Sequence, residues 1–307
     1  MTQRLYDMIV VGGGPAGYTA ALYAVRAGLD TLVLEKLSAG GQMALTETID
    51  NYPGYPEGVE GFTLAQTMQA QAERFGAKTV YAEVTKMELA GSTKTLTTSE
   101  GVFTARTVVL AMGANPRTLG LPEEAELIGR GVAYCAACDG MFYKGKTVVV
   151  VGGGNTAAAD ALLLSRIAEK VHLVHRRDTL RATKIYHEPL EKAENVQFHW
   201  NSTVTAIRHG DIVTGVQLRD TATGAVTELP CDAVFVSIGR QPATELVQGQ
   251  LALDPGGYIL ADETTRTSLP GVFAAGDLRT KPMRQVVTAV ADGAVAVQMA
   301  EEYLTGQ

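Results

Sequence analysis

The sequence predicts an α/β fold in which one strand–turn–helix–strand unit occurs twice, the second copy on a domain inserted into the first. Three observations predict it. Tyr6 to Val11 is a short apolar run rich in β-formers that enters Gly12-Gly13-Gly14-Pro15-Ala16-Gly17, and an Ala-rich helical stretch follows and stops near Gly28. A second apolar run, Thr31 to Leu34, ends at Glu35 and completes a βαβ unit. The grammar then repeats: Thr147 to Val151 leads into Gly152-Gly153-Gly154-Asn155-Thr156-Ala157, a helix through about Ile167, and a strand from Val171 to His175. Finally, Thr107-Val108-Val109-Leu110-Ala111-Met112-Gly113 is echoed by Ala233-Val234-Phe235-Val236-Ser237-Ile238-Gly239. Each echo reads as a buried strand ending in glycine and soon followed by proline, at Pro116 and Pro242, where a chain can leave one domain for another. The expected organisation is one domain of residues 1–115 plus 245–307, interrupted by a second of residues 118–242.

Size and composition agree with two globular domains. The 307 residues suit about two ordinary domains, and 46% apolar content is enough to give each a packed core. Lys and Arg total 26 against 33 Asp and Glu; the net charge of −7 argues against nucleic acid as a general partner and makes any local Arg cluster informative. No apolar run approaches the roughly 18–20 residues that cross a bilayer, so no membrane association is expected and the protein reads as cytoplasmic. Three cysteines are too few for a disulfide-stapled secreted scaffold.

Each glycine of the first turn has a job. Gly12 permits a tight turn, Gly14 lets the backbone approach a pyrophosphate, and Gly17 allows helix to pack closely on sheet, while the helix N-terminus supplies amides and positive potential. Glu35, ending the second strand, suits a ribose hydroxyl. A glycine turn that binds no nucleotide is the plainer alternative. In the second unit, the offset that separates Glu35 from Gly12 carries Gly152 to His175, followed by Arg176 and Arg177. Where the first unit offers an acid, the second offers bases. A 2′-phosphate is repelled by a carboxylate and matched by guanidinium forks, so this unit is expected to prefer NADPH, leaving FAD for the first. Arg181 joins the cluster if a turn brings it back; an exposed basic strand end is the alternative.

Between the two units lies Tyr134-Cys135-Ala136-Ala137-Cys138-Asp139-Gly140. A zinc site normally needs four ligands, and there is no second Cys-x-x-Cys and no histidine at ligand spacing, so no metal is expected. A loop closed over two intervening residues makes a poor stabilising staple. A reversible disulfide remains, with two inert buried thiols as the alternative. Asp139 is the nearest proton-handling group in sequence, although an Asp-Gly pair is also an ordinary turn. Cys231 reads as core packing. Near the C-terminus, Gly271 to Asp277 reads as a buried strand ending in Gly276 and Asp277, before an Ala/Val-rich helix from about Met283 to Leu304. That arrangement suits a flavin equally with an ordinary domain-closing strand and helix.

Taken together, GGGPAG at 12–17, GGQ at 40–42, NYPG at 51–54, CAACDG at 135–140, GGGNTA at 152–157, HRRDTLRA at 175–182, and AGD at 275–277 followed by RQ at 284–285 resemble the bacterial low-molecular-weight thioredoxin reductases over essentially the whole length. These are pyridine nucleotide-disulfide flavoenzymes, and the resemblance implies two Rossmann-like domains of three-layer ββα type. It also implies that Gly12, Gly13, Gly14, Pro15, Ala16, Gly17, Glu35, Gly40, Gly41, Gln42, Asn51, Gly276, Asp277, Arg284 and Gln285 help hold FAD. For NADPH it implies Gly153, Gly154, Asn155, Thr156, His175, Arg176, Arg177 and Arg181. Cys135, Cys138 and Asp139 become the catalytic residues: hydride passes from NADPH to FAD, the disulfide is reduced with Asp139 handling a proton, and the dithiol reduces thioredoxin. Family members are homodimers whose inserted domain turns, so that nicotinamide and disulfide alternate at the flavin. Two departures stand out: Ala158, Ala159 and Asp160 where relatives carry paired glutamates, and Arg240 where they often have a smaller or neutral residue. Two other functions remain in view, a related flavin reductase with another disulfide acceptor and a slowly cycling flavin redox sensor.

Overall fold

Strands that are apolar without alternation need cover on both faces, and β1 (Leu5–Val11) has it: Met8, Ile9 and Val10 are wholly buried in the computed structural model, which describes residues 4–46 and 48–306. The chain divides into two units, Met1–Asn115 with Gln241–Gln307, and Pro116–Arg240.

In the first unit β1 runs into α1 (Pro15–Arg26), which starts with proline where a missing N–H costs nothing, and then into β2 (Thr31–Glu35). α2 (Gly61–Arg74), β3 (Lys78–Tyr81), β4 (Val84–Glu88), β5 (Lys94–Thr98), β6 (Gly101–Leu110) and β7 (Ala114–Pro116) follow. The sheet order is β3-β2-β1-β6-β5-β4. β3, β2, β1 and β6 are parallel, with Val10 opposite both Val33 and Val109, while β4 and β5 add an antiparallel hairpin. Parallel neighbours joined through helices put the loops that follow β1, β2 and β6 at one edge, where ligands of open α/β sheets bind.

The second unit opens with β8 (Val132–Ala133), the short helical turn α3 (Ala136–Asp139), β9 (Thr147–Val151), α4 (Asn155–Ser165), β10 (Lys170–Val174), α5 (His187–Lys192) and β11 (Val196–His199). β12 (Ser202–His209), β13 (Val213–Asp220) and β14 (Val226–Pro230) form an antiparallel meander, before β15 (Ala233–Val236) and β16 (Arg240–Pro242). Its main sheet is all parallel, in the order β11-β10-β9-β15-β8. One face packs on α4 through Val148, Val150, Leu173, Phe235, Ala161 and Leu164. The other packs on the meander through Val149, Val174, Val234, Val204, Val216 and Leu218. Helices, parallel sheet and antiparallel sheet make the three layers of a ββα Rossmann-like unit. Each fully buried Val, Leu or Phe stabilises it by about 1.5–3 kcal/mol.

The two crossings, β7 and β16, pair as a two-stranded sheet. Beyond them the chain returns to the first unit, where β17 (Val272–Ala274) pairs in parallel with β6 and α6 (Val286–Thr305) packs on α1. The helices approach so closely that a Cβ on Gly293 would stand 2.3 Å from the Ala16 carbonyl oxygen. No helix among the described residues is long and apolar enough to cross a membrane.

Candidate active site

The two glycine turns occupy the same place in their units, at the end of the first strand of each βαβ and the start of the following helix. Gly12, at φ +104°, would carry a Cβ 2.5 Å from the Ala111 carbonyl oxygen, and a Cβ on Gly17 would meet the Gly12 carbonyl oxygen at 1.8 Å. Both are glycine because the protein's own packing demands it. Gly14 differs: its Cβ would find nothing nearer than the Gly40 carbonyl oxygen at 3.9 Å. In the second turn, a Cβ on Gly152 would stand 2.3 Å from the Ser237 carbonyl oxygen, whereas Gly154 has nothing within 4 Å. Gly14 and Gly154 are the N-caps of α1 and α4, and neither helix has a side-chain cap or an acid in its first turn. A bare glycine N-cap, open on the side the protein does not use, fits the pyrophosphate of a dinucleotide.

Around the first turn, Glu35 accepts from the Gly13 N–H at 2.6 Å through Oε2 and from the Leu37 N–H at 3.1 Å through Oε1, which fixes its carboxylate beside the glycines. Gly40 donates to the Gly13 carbonyl at 2.7 Å, and Gly41 takes φ +53° with open space beside it. Gln42 donates to Asn115 at 3.0 Å, and Asn51 donates to Gln285 at 3.1 Å. Gln285 caps α6 in a reciprocal box with Thr288. Pro15 and Ala16 form the first turn of α1, with Ala16 buried. Gly276, at φ +86°, and the half-buried Asp277 follow β17. Arg284 lies 4.0 Å over the Tyr258 ring and donates to the carbonyls of Asp277 and Arg279, both at 3.2 Å. The sequence-expected flavin residues thus converge on the loops that follow β1, β2 and β17, together with the start of α6, with Arg284 bracing the turn that carries Asp277.

In the second unit Arg181 does turn back: its N–H donates to the Gly153 carbonyl at 2.7 Å, and the Thr183 N–H donates to Asn155 Oδ1 at 2.8 Å. Arg176, Arg177 and Arg181 are all exposed beside the glycine turn, as is Thr156. His175 departs from its sequence neighbours. It is 4% exposed, its ring lies where a Cβ on Gly153 would be (2.3 Å), and its Nε2 has no partner among the described residues. Burial, aided by the three arginines, pulls its pKa down, so it supports the turn from below as a neutral ring. Asp160 accepts from Ser237 Oγ at 2.6 Å, and burial pushes its carboxyl up.

Cys135 and Cys138 are joined as a disulfide, their Cα atoms 5.3 Å apart. β8 delivers Cys135 in extended conformation at the edge of the parallel sheet, and α3 turns the chain so that Cys138 and Asp139 both donate their N–H to the Cys135 carbonyl, at 3.2 and 3.0 Å. Gly140 lets the turn sit against α4: a Cβ there would stand 3.2 Å from Leu164. The disulfide therefore leaves the same edge of the same sheet as the second glycine turn. Burial raises the Asp139 carboxyl to about 6, within reach of proton transfer near neutrality. Cys231 sits in the core, its thiol pushed up to about 12 by burial and then by Asp232.

Two groups went unread in the sequence. Asp292 of α6 forms buried ion pairs with Arg279 and Lys281, each at 2.7 Å. Glu124 accepts from Tyr134, the residue before Cys135, at 2.7 Å and from the N–H groups of Leu119 and Gly120 at 2.9 Å. An acid within an Ala/Val-rich helix and two bases just after Asp277 were the available signal for the first group.

The chain matches the family model for pyridine nucleotide-disulphide oxidoreductases over residues 6–293. It is 48% identical over 299 residues to a thioredoxin reductase of Treponema pallidum, covering 97% of each chain. It is 46% identical over 304 residues to a bifunctional thioredoxin reductase/thioredoxin of Mycobacterium leprae, covering 98% of this chain and 66% of that one. The crystal structure of thioredoxin reductase from Streptococcus pyogenes superposes with a TM-score of 0.92 at 42% identity, covering 100% of both chains.

Proposed function

The chain belongs to the pyridine nucleotide-disulphide oxidoreductase family, and from that premise we propose that it is a thioredoxin-disulfide reductase drawing electrons from NADPH through FAD. The observation that carries this reading is the Cys135–Cys138 disulfide at the edge of a nucleotide-type sheet, with Asp139, its carboxyl raised to about 6 by burial, one residue beyond it. The M. leprae relative, whose name joins reductase and thioredoxin in one chain, supports thioredoxin as acceptor.

FAD would be held by Gly12 to Gly17, Glu35, Gly40, Gly41, Gln42, Asn51, Gly276, Asp277, Arg284 and Gln285 in the unit Met1–Asn115 with Gln241–Gln307. NADPH would be held by Gly153, Gly154, Asn155, Thr156, Arg176, Arg177 and Arg181 in the unit Pro116–Arg240, with His175 supporting the turn. When bound, the two cofactors supply hydride and a two-electron relay to sulfur. This chain's residues do the rest. On reduction the Cys135–Cys138 bond breaks and Asp139 gives a proton to the departing sulfur. One thiolate then attacks the thioredoxin disulfide, forming a mixed disulfide and releasing one thioredoxin sulfur as a thiolate, which takes a proton from water. The second cysteine returns its proton to Asp139 and attacks the mixed disulfide as a thiolate, which re-forms Cys135–Cys138 and frees the other thioredoxin sulfur, protonated likewise from water. Anaerobic NADPH titration of the purified yellow protein, followed by oxidised thioredoxin, tests the sequence of transfers. Bleaching and then recovery of the flavin colour is expected; bleaching without recovery would exclude thioredoxin as acceptor. We also propose a cytoplasmic homodimer, as the family resemblance implies; sedimentation at a single 32.5 kDa chain would refute the dimer.

Arg176 and Arg177 give this reading a sharper edge. A charge-assisted bond to a 2′-phosphate is worth about 1.5–3 kcal/mol, and every 1.4 kcal/mol is about tenfold in affinity. Arg176→Ala or Arg177→Ala, each alone, is therefore expected to raise KM for NADPH about 10–100-fold while leaving KM for NADH unchanged. Equal changes for both nucleotides would mean that the arginines do not read the phosphate.

A further inference from the structure

The turn after β17 is held by charges buried where apolar side chains would also have filled the space. Asp292 lies on the buried stripe of α6 with Ala289, Gly293 and Ala296. Its Oδ2 accepts from the Gly276 N–H at 2.8 Å, Arg279 Nε at 2.9 Å and Lys281 Nζ at 2.7 Å, and its Oδ1 accepts from Arg279 Nη2 at 2.7 Å. Arg279 Nη1 reaches the Ala261 and Thr280 carbonyls at 3.3 and 3.0 Å, and Lys281 reaches the Thr288 carbonyl at 3.2 Å. The three side chains are 8%, 9% and 4% exposed. Desolvating such ions costs several kcal/mol each, and well-packed apolar replacements are often equally stable or better. What apolar residues cannot do is aim a peptide group. This cluster holds one N–H, that of Gly276, in a backbone conformation with φ +86° immediately before Asp277. Arg284 holds the Asp277 carbonyl from the other end. The hydrogen bonds from Arg279, Lys281 and Gly276 outweigh the upward push of burial, so Asp292 stays ionised well below the usual carboxylate range.

We propose that Asp292, with Arg279 and Lys281, is a positioning cluster for the flavin: it fixes the Gly276 N–H and thereby presents Asp277 in the geometry that retains FAD. The proposal rests on the reading of this unit as the FAD unit. Asparagine at 292 would turn an amide donor toward Arg279 or Lys281, and lysine at 279 would keep the charge while losing the two-pronged contact.

The test uses the full chain loaded with FAD, at a temperature where circular dichroism shows every protein folded. Flavin release on serial dilution is read by fluorescence, together with the visible spectrum of the bound flavin and the affinity for NADPH. Asp292→Asn and Arg279→Lys are each expected to raise the Kd for FAD at least about tenfold, roughly 1.4 kcal/mol, and to alter the bound-flavin spectrum. NADPH affinity should stay at the wild-type value, because its residues lie in the other unit. A folded variant that retains FAD with wild-type Kd and spectrum overturns the proposal; if Asp292→Asn does not fold, Arg279→Lys decides by the same measure. Failure of the underlying reading looks different, since the wild-type chain would itself then hold no FAD.

Discussion

Cys135→Ser and Cys138→Ser are each expected to cut NADPH-dependent reduction of thioredoxin by about three orders of magnitude or more, as loss of one member of a catalytic unit does. Accepting two electrons requires breaking and re-forming one sulfur–sulfur bond, and a hydroxyl can neither form that bond nor leave from it. No other thiol can substitute: Cys231, the remaining cysteine, is buried in the core with its thiol raised to about 12. The same variants separate a redox role from a structural one. The two cysteines lie three positions apart, and closing so small a loop contributes no more than about 2 kcal/mol to stability. Turnover should therefore collapse while the unfolding midpoint moves little and NADPH still binds. Full-speed thioredoxin reduction by either variant in a steady-state NADPH-oxidation assay would remove the sulfurs from the mechanism.

What the sequence made legible was local. The glycine turns could be read because their spacing lies within one βαβ unit, although the atoms that exclude a side chain at Gly12 and Gly152 belong to Ala111 and Ser237, outside it; the α/β class with two Rossmann-like units stands in the structure as expected. The basic cluster could be read from an offset, yet the offset could not separate His175, which lies beneath the turn, from Arg176 and Arg177, which lie outside it. A strand end alternates inward and outward, and only the tertiary structure tells which residue faces the core. Contacts between distant segments were out of reach. Asn51 meets Gln285 across 234 residues, and Asp292 meets a loop folded back from β17. A single sequence records such pairs only as isolated polar residues. The shift at Asp139 was equally hidden, since it comes from burial, whereas Asp-Gly in a sequence suggests an exposed turn.

That shift leads to a prediction in which activity and stability move in opposite directions. Burial raises the Asp139 carboxyl from 3.8 to about 6. Below pH 3.8 the folded and unfolded chains both carry the proton, and the folded state bears no penalty. As pH rises through the window from 3.8 to about 6 the unfolded chain releases its proton first, so the folded state holds more protons and loses stability. Above about 6 the loss is complete, at most about 3 kcal/mol for a shift of roughly two units. Asp139→Asn cannot ionise and escapes that penalty. Relative to wild type it should gain stability between pH 4 and pH 8, with the gain levelling off above about 6. Its turnover should fall by about a hundredfold or more, the usual contribution of a positioned proton donor. Where proton delivery to the departing sulfur limits the rate, wild-type activity declines as pH rises above about 6, because the protonated carboxyl is the donor; the asparagine variant lacks this limb. Denaturation midpoints at pH 4 and 8, paired with pH–rate profiles of both proteins, measure the two effects together. A variant that is less active and also less stable at pH 8 would point to a damaged turn, and parallel pH–rate profiles would take the proton away from Asp139.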